Sequence, residues 1–268
     1  MNRILKLAAV VTALAALLAG VALGQHHRFA KRAGLMMPRA IDGALDAAHA
    51  TPPERQAIYA ARDRVLTALA KAGGDSSQDL DRVLALFSAD PLDARALAAE
   101  RARRLAAFDR VGDAIVQAFS DAHHALSAPE RQAAADYLRA REKERAEKGS
   151  GWRERIFHAI VEERTQAALD AIDATADQRA ALIASRDRVL AALKEARLEG
   201  AARPLLDLFV ADPLDGHALQ ALRAERLGRL NQVGDAIVEG LSEIHQQLTP
   251  PQRQKLVAWV RSHTRHRG

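Results

Sequence analysis

The chain contains no cysteine, which excludes disulfides, a thiolate nucleophile, a thiolate zinc site and a lipidated cysteine. Aromatic residues make up only 4% of its 268 residues, although 49% are hydrophobic. Alanine supplies much of that apolar content, so the cores it builds should be thin. Runs of β-branched residues and hairpin turns such as Asn-Gly are missing, whereas Ala, Leu, Arg and Glu dominate. These preferences predict an all-α fold. The sequence also lacks a Gly-rich phosphate loop, a paired-carboxylate motif and any set of nucleophile, base and orienting group. An enzyme is therefore not expected.

What the chain does have is one helix-start signature written four times: Thr51-Pro-Pro-Glu54, Ser127-Ala-Pro-Glu130, Thr175-Ala-Asp-Gln178 and Thr249-Pro-Pro-Gln252. Each is a capping box, in which the Ser or Thr hydroxyl accepts from the N3 amide while the Glu or Gln reaches back to the N-cap amide. The four fall into two pairs because the chain is duplicated. Residues 44 to 71 align with 168 to 195 at an offset of 124, matching Arg62-Asp63-Arg64-Val65-Leu66 to Arg186-Asp187-Arg188-Val189-Leu190. Beyond a loop two residues shorter in the second copy the offset is 122, matching Asp90-Pro91-Leu92-Asp93 to Asp212-Pro213-Leu214-Asp215. A period this long exceeds any solenoid unit, and each copy is expected to be a small domain.

Each copy reads as a helix opened by its first box, a short helix, and a long helix running to its second box. The long helix carries Leu105, Phe108, Gly112, Ile115, Phe119, Ala122 and Leu126 in the first copy, and Leu227, Leu230, Gly234, Ile237, Leu241, Ile244 and Leu248 in the second. Steps of three and four make this a heptad seam for shallow-angle helix packing. Asp90-Pro91 and Asp212-Pro213 are expected to supply the N-cap and N1 proline of these long helices. A mid-helix glycine costs about 1 kcal/mol against alanine, so Gly112 and Gly234 are expected where a neighbouring backbone approaches closely.

The predicted boundaries are a signal peptide over 1–24, a first helical repeat over 25–140, a charged Gly/Ser linker over 141–151, a second repeat over 152–263, and a basic, His-containing tail over 264–268. Arg3 and Lys6 precede the uncharged stretch Leu7 to Gly24, whose end, Ala22-Leu23-Gly24, suits signal cleavage. The expectation is export to the periplasm as a soluble protein. A retained inner-membrane anchor facing the same compartment is the alternative, since Arg28, Lys31 and Arg32 follow at once.

The formal net charge is +5, yet residues 44–140 hold twelve Lys/Arg against fourteen Asp/Glu, and 168–261 twelve against thirteen. The positive excess thus lies outside the repeats, and nucleic acid is not an expected partner.

The paired boxes, above all Leu248-Thr249-Pro250-Pro251-Gln252, resemble the LTxxQ motifs of the CpxP/Spy-type periplasmic chaperones. The Asp-Pro-Leu-Asp segments also look like those of related periplasmic heavy-metal sensor and resistance proteins. The resemblance implies tandem Spy/CpxP-like helical hairpins forming a curved cradle. It further implies an envelope-stress role, with unfolded or envelope client proteins held without ATP. In relatives the cradle is a dimer; here intramolecular pairing of the two repeats, in a monomer or weak dimer, would supply both halves. A stress-sensor kinase periplasmic domain is a further expected partner. No cofactor is expected on the chaperone reading.

On the alternative, metal-binding reading, a divalent transition metal would be held by His and carboxylate groups, with Asp121, His124, His263 and His266 as candidates. Asp121 and His124 share a helix face, as do His263 and His266 if the last helix continues. His123 and His245 sit in the last turn of the long helices, where an imidazolium interacts favourably with the helix C-terminus. Trp152 and Trp259 read as core residues or as the rim of a concavity.

Overall fold

A computed structural model describes residues 39–73, 76–147, 150–196 and 202–265. The expected signal peptide, His266 and the end of the tail lie outside these residues. The described chain is all-α: α1 (39–47), α2 (Pro52–Gly73), α3 (Ser76–Ser88), α4 (Ala94–Ala125) and α5 (Ala128–Glu147) come from the first copy. The second copy gives α6 (Ser150–Ala171), α7 (Ala176–Ala196), α8 (Ala202–Val210), α9 (Gly216–Gln247) and α10 (Pro250–Arg265). Helix α6 begins inside the segment expected as linker. No described helix is long and apolar enough to cross a membrane.

Local chemistry explains the helix ends, with one change from expectation. The long helices are capped by Asp93 and Asp215, whose carboxylates accept from the Ala96 and Ala218 amides at 2.9 Å. Asp90 and Asp212 are not the caps. Their peptide bonds to Pro91 and Pro213 are cis, and their carboxylates face arginines of the other copy, so the second Asp of each Asp-Pro-Leu-Asp segment opens the helix. Between α1 and α2 the chain turns through His49, and between α6 and α7 through Asp173, both with φ of 53°. At each turn a backbone amide reaches back five residues, Ala50 to Leu45 and Ala174 to Leu169, at 3.0 Å, the helix-ending bond of a Schellman motif.

Within each copy the box-initiated helix packs antiparallel on the long helix, α2 on α4 and α7 on α9. Across copies α4 and α9 cross antiparallel, tied by mirrored arginine pairs. Arg101 reaches Asp235 at 2.6 Å and Asn231 at 2.7 Å; Arg223 reaches Asp109 at 2.5 Å and Asp113 at 2.8 Å. These pairs relate the copies by an approximate twofold axis.

The short helices cross over. Helix α3 of the first copy packs on α10 of the second, and α8 of the second packs on α5 of the first. As a result the larger core joins Leu80, Val83, Leu84, Phe87 and Leu97 of the first copy to Leu182, Ile237, Leu241, Leu256 and Val260 of the second. The opposite core is thinner. It consists of Leu45, Ala50, Ile58 and Leu126 with Phe209 packed against them, beside a cluster of Ala44, Ala48 and Ala134. The cause is side-chain size: Ala134 and Ala135 stand where the second copy has Leu256 and Val257, and Ala122 where it has Ile244.

The heptad seam is buried only in part. Ile237, Leu241, Ile244 and Leu248 are core residues, but Ile115 is 40% exposed and Leu230 39%, because the flanking helices do not cover the whole length of α4 and α9.

Candidate functional site

The four boxes form at the ends of the helix pairs. The Thr51 and Ser127 amides donate to Glu54 and Glu130 at 2.6 and 2.7 Å, and the Thr175 and Thr249 amides to Gln178 and Gln252 at 3.0 Å. The reverse bonds, from the Gln178 and Gln252 amides to the Thr175 and Thr249 hydroxyls, measure 3.3 and 3.4 Å. In the first copy the Ser127 hydroxyl instead donates to Glu130 at 2.6 Å. That bond, seconded by the Ser127 amide, lowers the Glu130 pKa below the ordinary carboxylate value.

The glutamines of the second copy do more than cap. Gln178 and Gln252 exchange amide hydrogen bonds at 2.9 Å in both directions. Gln178 also donates to Gln247 O at 2.8 Å and Gln252 to Ile172 O at 3.4 Å, lashing α6, α7, α9 and α10 together at one end. The equivalent Glu54 and Glu130 have no N–H, so the first copy cannot build this lattice.

Next to the boxes lies the crossover latch. His123 is 4% exposed and His245 6%. Their Nε2 atoms sit 2.8 Å from the carbonyl oxygens of Ala211 and Ala89, respectively, at the ends of the crossed-over short helices. A carbonyl only accepts, so each Nε2 carries the proton. Each ring also meets a phenylalanine of the helix it holds, Phe209 for His123 and Phe87 for His245, with centroids 6.2 and 5.8 Å apart. These histidines were expected to serve their own helix ends; they serve the other copy instead.

The neighbouring arginines are buried too. Arg131 donates to the carbonyls of His123 at 3.2 Å and Leu126 at 2.8 Å, and Arg253 to those of His245 at 3.1 Å and Leu248 at 2.8 Å. Their second nitrogens turn to Asp212 at 3.3 Å and Asp90 at 3.0 Å. An arginine thus closes each long helix, the role expected of the histidine, and pairs with the cis-proline turn of the other copy. In sequence the signal was the Arg that follows each second box, Arg131 and Arg253.

Gly112 and Gly234 do mark close approaches, but of side chains. A Cβ on Gly112 would lie 3.0 Å from Arg223 Nε, and one on Gly234 3.1 Å from Arg101 Nε. The neighbour is the stem of the mirrored arginine and not a helix backbone, because the guanidinium must pass over the glycine to reach its carboxylates.

The metal candidates are dispersed among other partners. Asp121 is paired with Arg64 and accepts from Gln117 at 2.9 Å. His124 is exposed beside His123. His263 stacks on Trp259 at 4.2 Å and its Nδ1 lies 2.8 Å from Trp259 O. Among the described residues no group of three or more His, Asp or Glu is placed to hold a metal ion. Trp259 is half-buried against the larger core.

No family model matches the chain, and neither a curated protein nor a solved structure shows significant similarity to it.

Proposed function

We propose that this chain is an exported, ATP-independent chaperone of the CpxP/Spy type, holding unfolded or partner proteins of the bacterial envelope on its helical surface. The observation that carries this reading is the twofold-related crossing of α4 and α9 with exchanged short helices. It supports the reading because one chain built this way would supply both halves of the cradle that the resemblance assigns to a dimer. A thin, alanine-rich first-copy core with an apolar seam partly open to solvent suits a surface that accepts many apolar sequences. Long arginine side chains along the helices add apolar stems and charged heads at its edge.

The test is aggregation of a chemically unfolded client in the presence of the purified mature chain. Suppression at near-stoichiometric ratios without nucleotide is expected. Absence of suppression over a wide range of ratios removes the reading. Crosslinking in intact cells then separates many weak clients from one stoichiometric partner.

A further inference from the structure

The two halves bury equivalent surfaces unequally. On the second copy, Ile237 is 8% exposed and joins Leu193, Leu80 and Val83 in one core. Its counterpart on the first copy, Ile115, is 40% exposed. Leu69 and its counterpart Leu193 are both half-buried, but Leu193 packs against the larger core whereas Leu69 joins neither described first-copy cluster. Ile115 and Leu69 lie at one level of the α2/α4 pair: the Arg64–Asp121 ion pair fixes the antiparallel register, with Leu69 five residues beyond Arg64 and Ile115 six before Asp121.

The imbalance follows from the crossed-over helices. Helix α3, which serves the second copy, has 13 residues and buries Leu80, Val83, Leu84 and Phe87, the last two completely. Helix α8, which serves the first, has 9 residues; of Leu205, Leu206 and Phe209, only Leu206 is buried, at 8% exposure. Where α3 carries Leu80, the second copy has Ala202. The described first-copy clusters stop short of Ile115 and Leu69.

We propose that the strip of α2 and α4 containing Leu69 and Ile115 is the docking surface for an amphipathic helical segment of a client, with apolar residues at i, i+3, i+4 and i+7. The chemistry of this occupant is set by the resident of the equivalent face. Helix α3 contributes Leu80, Val83, Leu84 and Phe87 in that spacing to the core that also holds Val189 of α7 and Ile237 and Leu241 of α9, and spacing of this kind aligns side chains on one helix face. The first copy offers the same α2/α4 framework with a shorter resident. This assignment rests on the protein-binding reading above and names where on the molecule the client sits.

The probe is a fluorescein-labelled synthetic peptide with the sequence of residues 76–88, titrated with the full-length chain and followed by anisotropy. Saturable binding with a Kd on the order of 10–100 μM is expected. Ile115→Asp should weaken it about tenfold or more and Ile115→Ala by a smaller factor, as for a central apolar contact. Thermal midpoints of both variants should fall by no more than a few degrees, because the side chain is 40% exposed. A peptide with Ser at the positions of Leu84 and Phe87 should not bind. Absence of binding by the parent peptide overturns the proposal, and so does equal binding by the wild type and both Ile115 variants. Aggregation suppression by the same proteins separates the two readings. If wild type and Ile115→Asp suppress equally, this site is wrong and the chaperone reading stands. If neither suppresses while the peptide binds through Ile115, the site stands and the general chaperone reading fails.

Discussion

His245 belongs to the second copy yet holds the backbone of the first, its Nε2 donating to Ala89 O at 2.8 Å while its ring packs on Phe87. His123 repeats the relationship with Ala211 and Phe209. Removing either ring leaves a carbonyl without its donor and opens space beside a phenylalanine. Each His→Ala substitution should destabilise the chain by about 2–3 kcal/mol. His245→Ala should cost more, since Phe87 is fully buried and Phe209 is not. Urea unfolding of both variants checks the magnitude and the order.

Glu54 and Glu130 stand where the second copy has its interlocked glutamines. The double substitution Glu54→Gln, Glu130→Gln should let the first copy form the same amide lattice, raising stability by about 1 kcal/mol at neutral pH. The pH response carries a second signature. Glu130 has a folded pKa below its unfolded one, so its contribution is present above the ordinary carboxylate pKa and is lost as pH falls through the lowered value. Glu162, lowered by its bonds from Gln166 and then Arg186, acts in the same sense. Thermal midpoints of wild type should therefore fall below about pH 4.5, and those of the double variant should fall less.

His49 adopts φ of 53° at the turn after α1, a conformation that costs an L-residue about 1 kcal/mol and glycine little. His49→Gly should stabilise the chain by about 0.5–1 kcal/mol after the extra backbone entropy of glycine is counted. At Asp173 the same change should gain less, because the Asp173 carboxylate pairs with Lys255 at 2.5 Å. Equilibrium unfolding of the two variants decides it.

Two helical glycines should respond oppositely to alanine. A Cβ on Gly43 would collide with the Tyr137 hydroxyl oxygen and its ring. The ring would have to leave its place in the alanine cluster. Gly43→Ala should therefore destabilise by about 1–3 kcal/mol despite the gain in helix propensity. At Gly112 the nearest group is the flexible stem of Arg223, which can shift. There the propensity gain of about 1 kcal/mol offsets a weakened, part-buried ion pair, and the net change should stay within about 0.5 kcal/mol. Thermal melts of the pair test the contrast.

The exchanged helices make each half incomplete without the other. A protease site inserted between Lys148 and Gly149 should give, after cleavage, two fragments that co-elute on size exclusion and separate only in denaturant. Fragments that elute as independent folded monomers would contradict the crossover of α3 and α8.

The sequence alone determined the helical class, the duplication and the positions of the four boxes. These are local properties: propensity, capping chemistry and self-similarity act within a few residues or between identical strings. The mid-helix glycines were legible as special positions for the same reason, since their cost is local, but the identity of their neighbours was not. Tertiary structure decided that α3 and α8 exchange copies, that His123 and His245 latch them, and that Arg131 and Arg253 close the long helices. It also left Ile115 exposed where Ile237 is buried. Those outcomes depend on which surface a helix meets across the twofold, and the matching apolar periodicity of a duplicated sequence carries no local mark of whether each short helix packs at home or on the other copy.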